Sequence, residues 1–154
     1  MKRKKLTASM IALVMSVSLP MTTYAANWYL EDGSVTVNAD NSGQTVTQGG
    51  TSTPDEAPVI TQRESSVETG NTIAISTSDN AAANVTIKDI NIKSSKDAID
   101  VKGSSSANIT LEGDNKIFSE TGSALHVSDG NVTINGSGSL KAEIQDEPFG
   151  YNHN

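Results

Sequence analysis

The chain has no cysteine, one tryptophan, two phenylalanines, three tyrosines and four prolines in 154 residues. Without cysteine, neither a disulfide framework nor lipid attachment through an N-terminal Cys is available. Basic residues are scarce as well, 11 against 18 acidic. Motifs with recognisable chemistry are missing: there is no Ser/His/Asp order, no zinc motif, no phosphate loop and no EF-hand spacing. Long apolar runs are also absent. The longest, Met10–Leu19, is interrupted by two serines and falls short of the roughly 20 residues a membrane-spanning helix needs.

That short run reads as an address. Lys2, Arg3, Lys4 and Lys5 precede it, Pro20 breaks it, and Thr23-Tyr24-Ala25 puts small residues at the −3 and −1 positions of a cut after Ala25. Residues 1–25 are therefore expected to be a cleaved secretory signal, which makes the protein secreted or extracellular, with the cell surface as a further location. Four of the basic residues and none of the acidic ones leave with it, so the remainder carries a net charge of −11. A surface of that sign repels nucleic acid and anionic lipid, which argues against a nucleic-acid partner and against membrane insertion.

What is present in quantity is Ser, Thr, Asn, Gly and Asp, a composition that taken alone suggests disorder. Periodicity argues otherwise. Asn84-Val-Thr-Ile returns as Asn108-Ile-Thr-Leu and as Asn131-Val-Thr-Ile, at steps of 24 and 23 residues. Thr72-Ile-Ala-Ile75, Ala98-Ile-Asp-Val101 and Ala124-Leu-His-Val127 recur at steps of 26. A third set of short apolar pieces follows: Ile90/Ile92, Ile117/Phe118 and Leu140. Three short strands per period of about 23–26 residues is the pattern of a β-solenoid, whose stacked coils bury one continuous core. The expected fold is all-β, a parallel β-helix, with regular coils over 71–142.

Stacking of the repeated phrase predicts inward columns Val85/Ile109/Val132 and Ile87/Leu111/Ile134, with the threonines outside and the asparagines at the entering turn. Upstream, residues 26–70 are expected to form a capping region of irregular strands. Ser34-Val-Thr-Val, Gln44–Gln48 and Pro58–Gln62 alternate as strands do, and the shared Thr-Gln endings of the last two suggest that they stack. Gly49–Glu56 reads as a surface loop. Residues 143–154 read as a polar tail, or as the point where a longer protein is cut.

The passage "WYLEDGSVTVNADNSGQTVTQGGTSTPDEAPVITQ", followed by "NTIAISTSDNAAANVTIKDINI", resembles the opening of secreted bacterial carbohydrate-binding domains from anaerobic, plant-fibre-degrading and gut Firmicutes. The likeness covers roughly residues 27–142 and rests on repeat phrasing, not on an active-site motif. It implies a right-handed parallel β-helix like that of pectate lyases, calcium in the structure, and non-catalytic binding of cellulose- or pectate-like polysaccharide. Domains of that family usually run for more coils than this chain holds.

Candidate site residues follow from residue chemistry. The register predicts Asp100 directly below His126, both outward, with Ala74 as the third rung; this suits an ion pair, an acid/base couple or part of a metal site. Calcium needs six to eight oxygens, and Asp97, Asp100, Glu112 and Asp114 are the candidate ligands, the alternative being a solvated acidic face with Lys88 over Glu112 as one compensated pair. Trp28, Tyr29 and Tyr151 are the candidate sugar platforms, with Phe149 beside the last; Trp28 and Tyr29 also suit a cap on the first coil. Phe118, next to Ile117, reads as core or coil edge. No residue is singled out as catalytic: Arg63 is the only arginine after the signal, and Glu112/Asp114 is the one carboxylate pair weighed for a glycosidase. The alternative function is a structural or adhesive cell-surface solenoid with a protein partner, and behind it a polysaccharide lyase or hydrolase.

Overall fold

Alternation between buried and more exposed residues runs through most strands before residue 120 in the computed structural model, which describes residues 25–146. The expected signal peptide, apart from Ala25, and the tail aromatics Phe149 and Tyr151 lie outside the described residues. Within them are fourteen β-strands and one short 3-10 turn at Leu30–Asp32. The amino-terminal part holds β1 (Asn27–Tyr29), β2 (Val35–Asp40), β3 (Gly43–Gln48), β4 (Thr51–Pro54) and β5 (Val59–Thr61). Three coils follow, each of three strands. The first is β6 (Ile73–Thr77), β7 (Ala83–Lys88) and β8 (Asn91–Ser94); the second is β9 (Ile99–Gly103), β10 (Ser106–Glu112) and β11 (Asp114–Ser119); the third is β12 (Leu125–Ser128), β13 (Asn131–Gly136) and β14 (Ser139–Ile144).

Corresponding strands pair in parallel and make three sheets along the coil axis: β12-β9-β6-β2-β3-β4, β1-β5-β7-β10-β13, and β8-β11-β14. This is the β-solenoid the repeats predict, about three turns long. The inward columns are aliphatic because alternate side chains of a strand face one side. Val35, Ile73, Ile99 and Leu125 are stacked in one column, and Val37, Ile75, Val101 and Val127 in the next. Most of these residues are fully buried, each burial stabilising by about 1.5–3 kcal/mol relative to exposure.

Polar ladders hold the corners. Asn115, 1% exposed, donates from Nδ2 to the carbonyls of Glu112 and Ser139 at 3.0 Å each and accepts the Ile90 N–H at 3.3 Å. Three coils are thereby tied through one side chain. Ser119 Oγ donates to Lys96 O at 2.9 Å and accepts the Gly122 N–H at 2.8 Å.

The amino-terminal region corrects two expectations. Gly49–Glu56 is not simply a loop: β4 pairs antiparallel with β3 across a Gly49-Gly50 turn. Both glycines have positive φ, +58° and +79°, as a two-residue hairpin turn that matches strand twist requires. And β3 does not stack on β5. It pairs antiparallel with β2 inside the six-stranded sheet, whose edge strand is β4, while β5 lies in the five-stranded sheet between β1 and β7. Gln44 locks this cap to the first coil, its amide donating to Asp55 O (2.9 Å) and Asn84 O (3.0 Å) while its oxygen accepts the Asn84 N–H (2.8 Å).

The third repeat is out of step with its phrase. Asn108 stands opposite Asn84, Ile109 opposite Val85 and Leu111 opposite Ile87, as the phrase predicts. Above them, however, Ile134 faces Ile109, Val132 faces Ala107, and Asn108 faces Thr133 in place of Asn131. The neighbouring faces impose the shift. β9 to β12 and β11 to β14 advance by 26 and 25 residues, so a phrase spaced at 23 slides by two, which keeps the same face inward. β14 also carries strand pairing to Ile144, two residues past the predicted end of the coils.

Candidate functional site

Two outward faces carry chemistry. The first is the six-stranded sheet, whose outward rung reads His126, Asp100, Ala74, Thr36, Thr47, Ser52 from strand to strand. The predicted Asp100–His126 stack is present, with Ala74 as its third rung. His126 Nδ1 lies 2.9 Å from Asp100 Oδ1 and 3.7 Å from Asp97 Oδ2. Asp97, in the turn before β9, is held by the Ser123 N–H, 2.6 Å from its Oδ1. A Cβ at position 122 would come within 2.6 Å of that same oxygen, so Gly122 makes room for the carboxylate. The hydrogen bond to Asp100 is the largest influence on the His126 pKa and, with the charges of Asp97 and Asp100, raises it above its usual value despite the opposing desolvation. Among the described residues, Asp97, Asp100 and His126 are the one set of three acidic or imidazole groups whose donor atoms all lie within 4.8 Å of one another.

The second face is that of β8-β11-β14. With Ile92, Ile117 and Ser119 inward, the outward rungs are Asn91/Lys116/Lys141 and Lys93/Phe118/Glu143. Phe118 is therefore neither core nor coil edge, as its apolar neighbour had suggested. Ile117 takes the inward position, and period-two geometry puts the adjacent ring outside. Lys93 Nζ sits 5.8 Å from the centre of that ring, within cation–π range, and 3.8 Å from Glu68. Lys141 pairs with Glu143 at 3.0 Å, while Lys116 makes no ion pair within the described residues. Two hollows of about 450 and 250 Å³ run along this face, both bordered by Lys116 and Lys141. The first continues past Asp89, Asp114 and Ser139; the second is floored by Phe118. Lys93, Lys116 and Lys141 thus surround the half-buried Phe118 ring, with Glu68, Glu143, Asp89 and Asp114 bordering the same hollows.

The remaining predicted residues are dispersed. Trp28 packs against the core and its indole N–H donates to Asp55 Oδ2 at 2.8 Å, the arrangement of a cap. Tyr29 lies under the Arg63 guanidinium, 4.0 Å from the ring centre. Arg63 forks onto both carboxylate oxygens of Asp32 at 2.8 and 2.7 Å; that bond holds the Asp32 pKa below the usual carboxylate range and raises that of Arg63. Glu112 stands over Lys88 at 3.5 Å, as expected of a compensated pair. Asp114 receives the Ser139 hydroxyl at 2.9 Å, and its N–H donates to Asp89 Oδ1 at 3.1 Å. Glu112 and Asp114 thus sit at the β10–β11 corner, apart from Asp97 and Asp100, and the four proposed calcium ligands do not form one site. No helix among the described residues is long and apolar enough to cross a membrane.

No family model, no curated protein and no solved structure matches this chain.

Proposed function

We propose that the chain is a secreted, non-catalytic polysaccharide-binding solenoid, and that its ligand lies along the groove of β8, β11 and β14. One observation carries this reading: the Phe118 ring is turned outward on the floor of an open groove bordered by Lys93, Lys116 and Lys141. A sugar ring presents an apolar face that suits an aromatic platform, while ammonium and amide groups such as those of the lysines and Asn91 serve its oxygens. The resemblance to plant-cell-wall-binding domains supports the same class of ligand. An acidic protein repels a polyanionic pectate over long range, but salt screens that repulsion beyond about 8–10 Å. Within the groove Lys93 and Lys141 are paired with Glu68 and Glu143, so Lys116 is the cation available to a sugar carboxylate.

The test is retention of residues 26–154 on immobilised polygalacturonate and on insoluble cellulose, each with calcium and with chelator, for the wild type and Phe118→Ala. Retention of the wild type, lost in the variant, is the expected result. A folded wild type retained on neither polymer, or a variant retained as well as the wild type, would overturn the reading.

A second reading, an adhesive solenoid with a protein partner, rests on the third coil. Val127, Ile134 and Ile144 are 42%, 41% and 58% exposed, and within the described residues β12, β13 and β14 each pair with one neighbour only. Unpaired parallel edges accept an added strand. Capture of a strand-forming peptide that fails when Ile134 is replaced by lysine would favour it.

A further inference from the structure

We propose that Asp97, Asp100 and His126 bind one divalent transition-metal ion of the zinc class, on the face of the solenoid away from the groove.

The geometry suits a small ion. Zinc holds nitrogen and carboxylate oxygen at about 2.0–2.2 Å in a tetrahedron, which spaces donor atoms by roughly 3.3 Å. The His126 Nδ1 distances of 2.9 Å to Asp100 and 3.7 Å to Asp97 bracket that value, so an ion seats with small side-chain rotations. The backbone supplies the alignment. Asp100 and His126 are paired residues of parallel neighbours β9 and β12, and Asp97 comes from the turn that feeds β9.

Asp97 is also oriented from behind. The Ser123 N–H occupies its Oδ1, leaving Oδ2 turned toward His126, which is the kind of support that outer partners give metal-binding carboxylates. Asp100 is positioned by its strand.

Donor chemistry decides the class of ion. Calcium takes six to eight oxygens and has little use for an imidazole, whereas imidazole beside carboxylate suits zinc and its neighbours in the first transition row. Three protein donors leave one position of a tetrahedron free, as in sites that keep an exchangeable water. The Ala74 methyl on the next strand leaves that side of the ion uncrowded.

The experiment is calorimetric titration of the chelator-stripped, purified chain with ZnCl₂ and with CaCl₂, for the wild type, His126→Gln, Asp100→Asn and Glu112→Gln, with folding checked by circular dichroism. Zinc binds at one equivalent; His126→Gln and Asp100→Asn each weaken it by at least about tenfold, and Glu112→Gln, at the β10–β11 corner, leaves it unchanged. In the wild type, zinc also shifts the His126 ring resonances. A folded wild type that takes up no zinc, zinc binding that survives His126→Gln, or calcium bound more tightly than zinc would each overturn the proposal.

Discussion

His126 stands one coil above Asp100, with Nδ1 2.9 Å from the carboxylate oxygen, because a step of 26 residues separates paired positions of β9 and β12. In the metal-free protein the bond favours the imidazolium and raises the His126 pKa. The sign of the linkage follows. Stability from a raised pKa is fully present below the ordinary histidine value of about 6.5 and is lost as pH rises through the raised folded value. Asp100→Asn should lower the midpoint of the His126 ring titration followed by NMR, and should remove that part of the pH dependence of unfolding. An unchanged midpoint in the variant would show that the bond is not formed in solution.

The core makes a sharper prediction. Ile75 is fully buried, stacked between Val37 and Val101, whereas Ile134 on the third coil is 41% exposed. Ile75→Ala removes packed methyl groups from a site flanked on both sides, at a cost of about 2–5 kcal/mol. Ile134→Ala loses less than half of that, since its surroundings already admit water. Denaturant unfolding of both variants measures the difference, and equal losses would contradict the stacking order.

Much of this architecture is legible in the sequence because a parallel coil converts sequence period into spatial columns. The 26-residue step predicts the Asp100–His126 pair, and the 24-residue step predicts Lys88 over Glu112. Three features escape for physical reasons. A slip of two residues leaves the inward face unchanged, so hydrophobic pattern alone cannot tell whether Ile134 covers Leu111 or Ile109. β4 is exposed along its whole length and has no apolar alternation to mark it; the Gly49-Gly50 pair is the signal that reveals the hairpin. Phe118 is obscured because two of the three inward residues of β11, Asn115 and Ser119, are polar and serve as corner ladders. Reading inward from Ile117 in steps of two would have placed the ring outside.

The asparagines separate local phrase from true register. Asn108 Nδ2 donates to Asn84 Oδ1 at 3.0 Å on the exposed face, so Asn108→Ala costs about 0.5–1.5 kcal/mol. Asn115→Ala leaves the Ile90 N–H buried without its partner and removes two further hydrogen bonds, and should cost at least about 2 kcal/mol more. Asn131, two positions out of the column, has no part in the Asn84–Asn108 bond. Its replacement by alanine should leave the Asn108→Ala loss unchanged in a double-mutant cycle, whereas coupling between the two would restore the register that the repeated phrase suggests.

Aromatic substitutions separate scaffold from ligand contact. The Trp28 indole packs on the core and donates to Asp55, so Trp28→Ala should lower stability by about 3 kcal/mol, with polysaccharide retention of the folded fraction intact. Phe118 lies outward on the groove floor and should show the reverse. Phe118→Ala removes an apolar platform worth about 1.5 kcal/mol, which weakens binding by about tenfold while the unfolding midpoint stays close to that of the wild type. Arg63→Ala, whose side chain is committed to Asp32 and Tyr29, should leave retention unchanged. Affinity electrophoresis in polygalacturonate, run beside thermal unfolding, scores all three variants. A Phe118 variant that unfolds early but binds normally would return the ring to the structural role its apolar neighbour suggests.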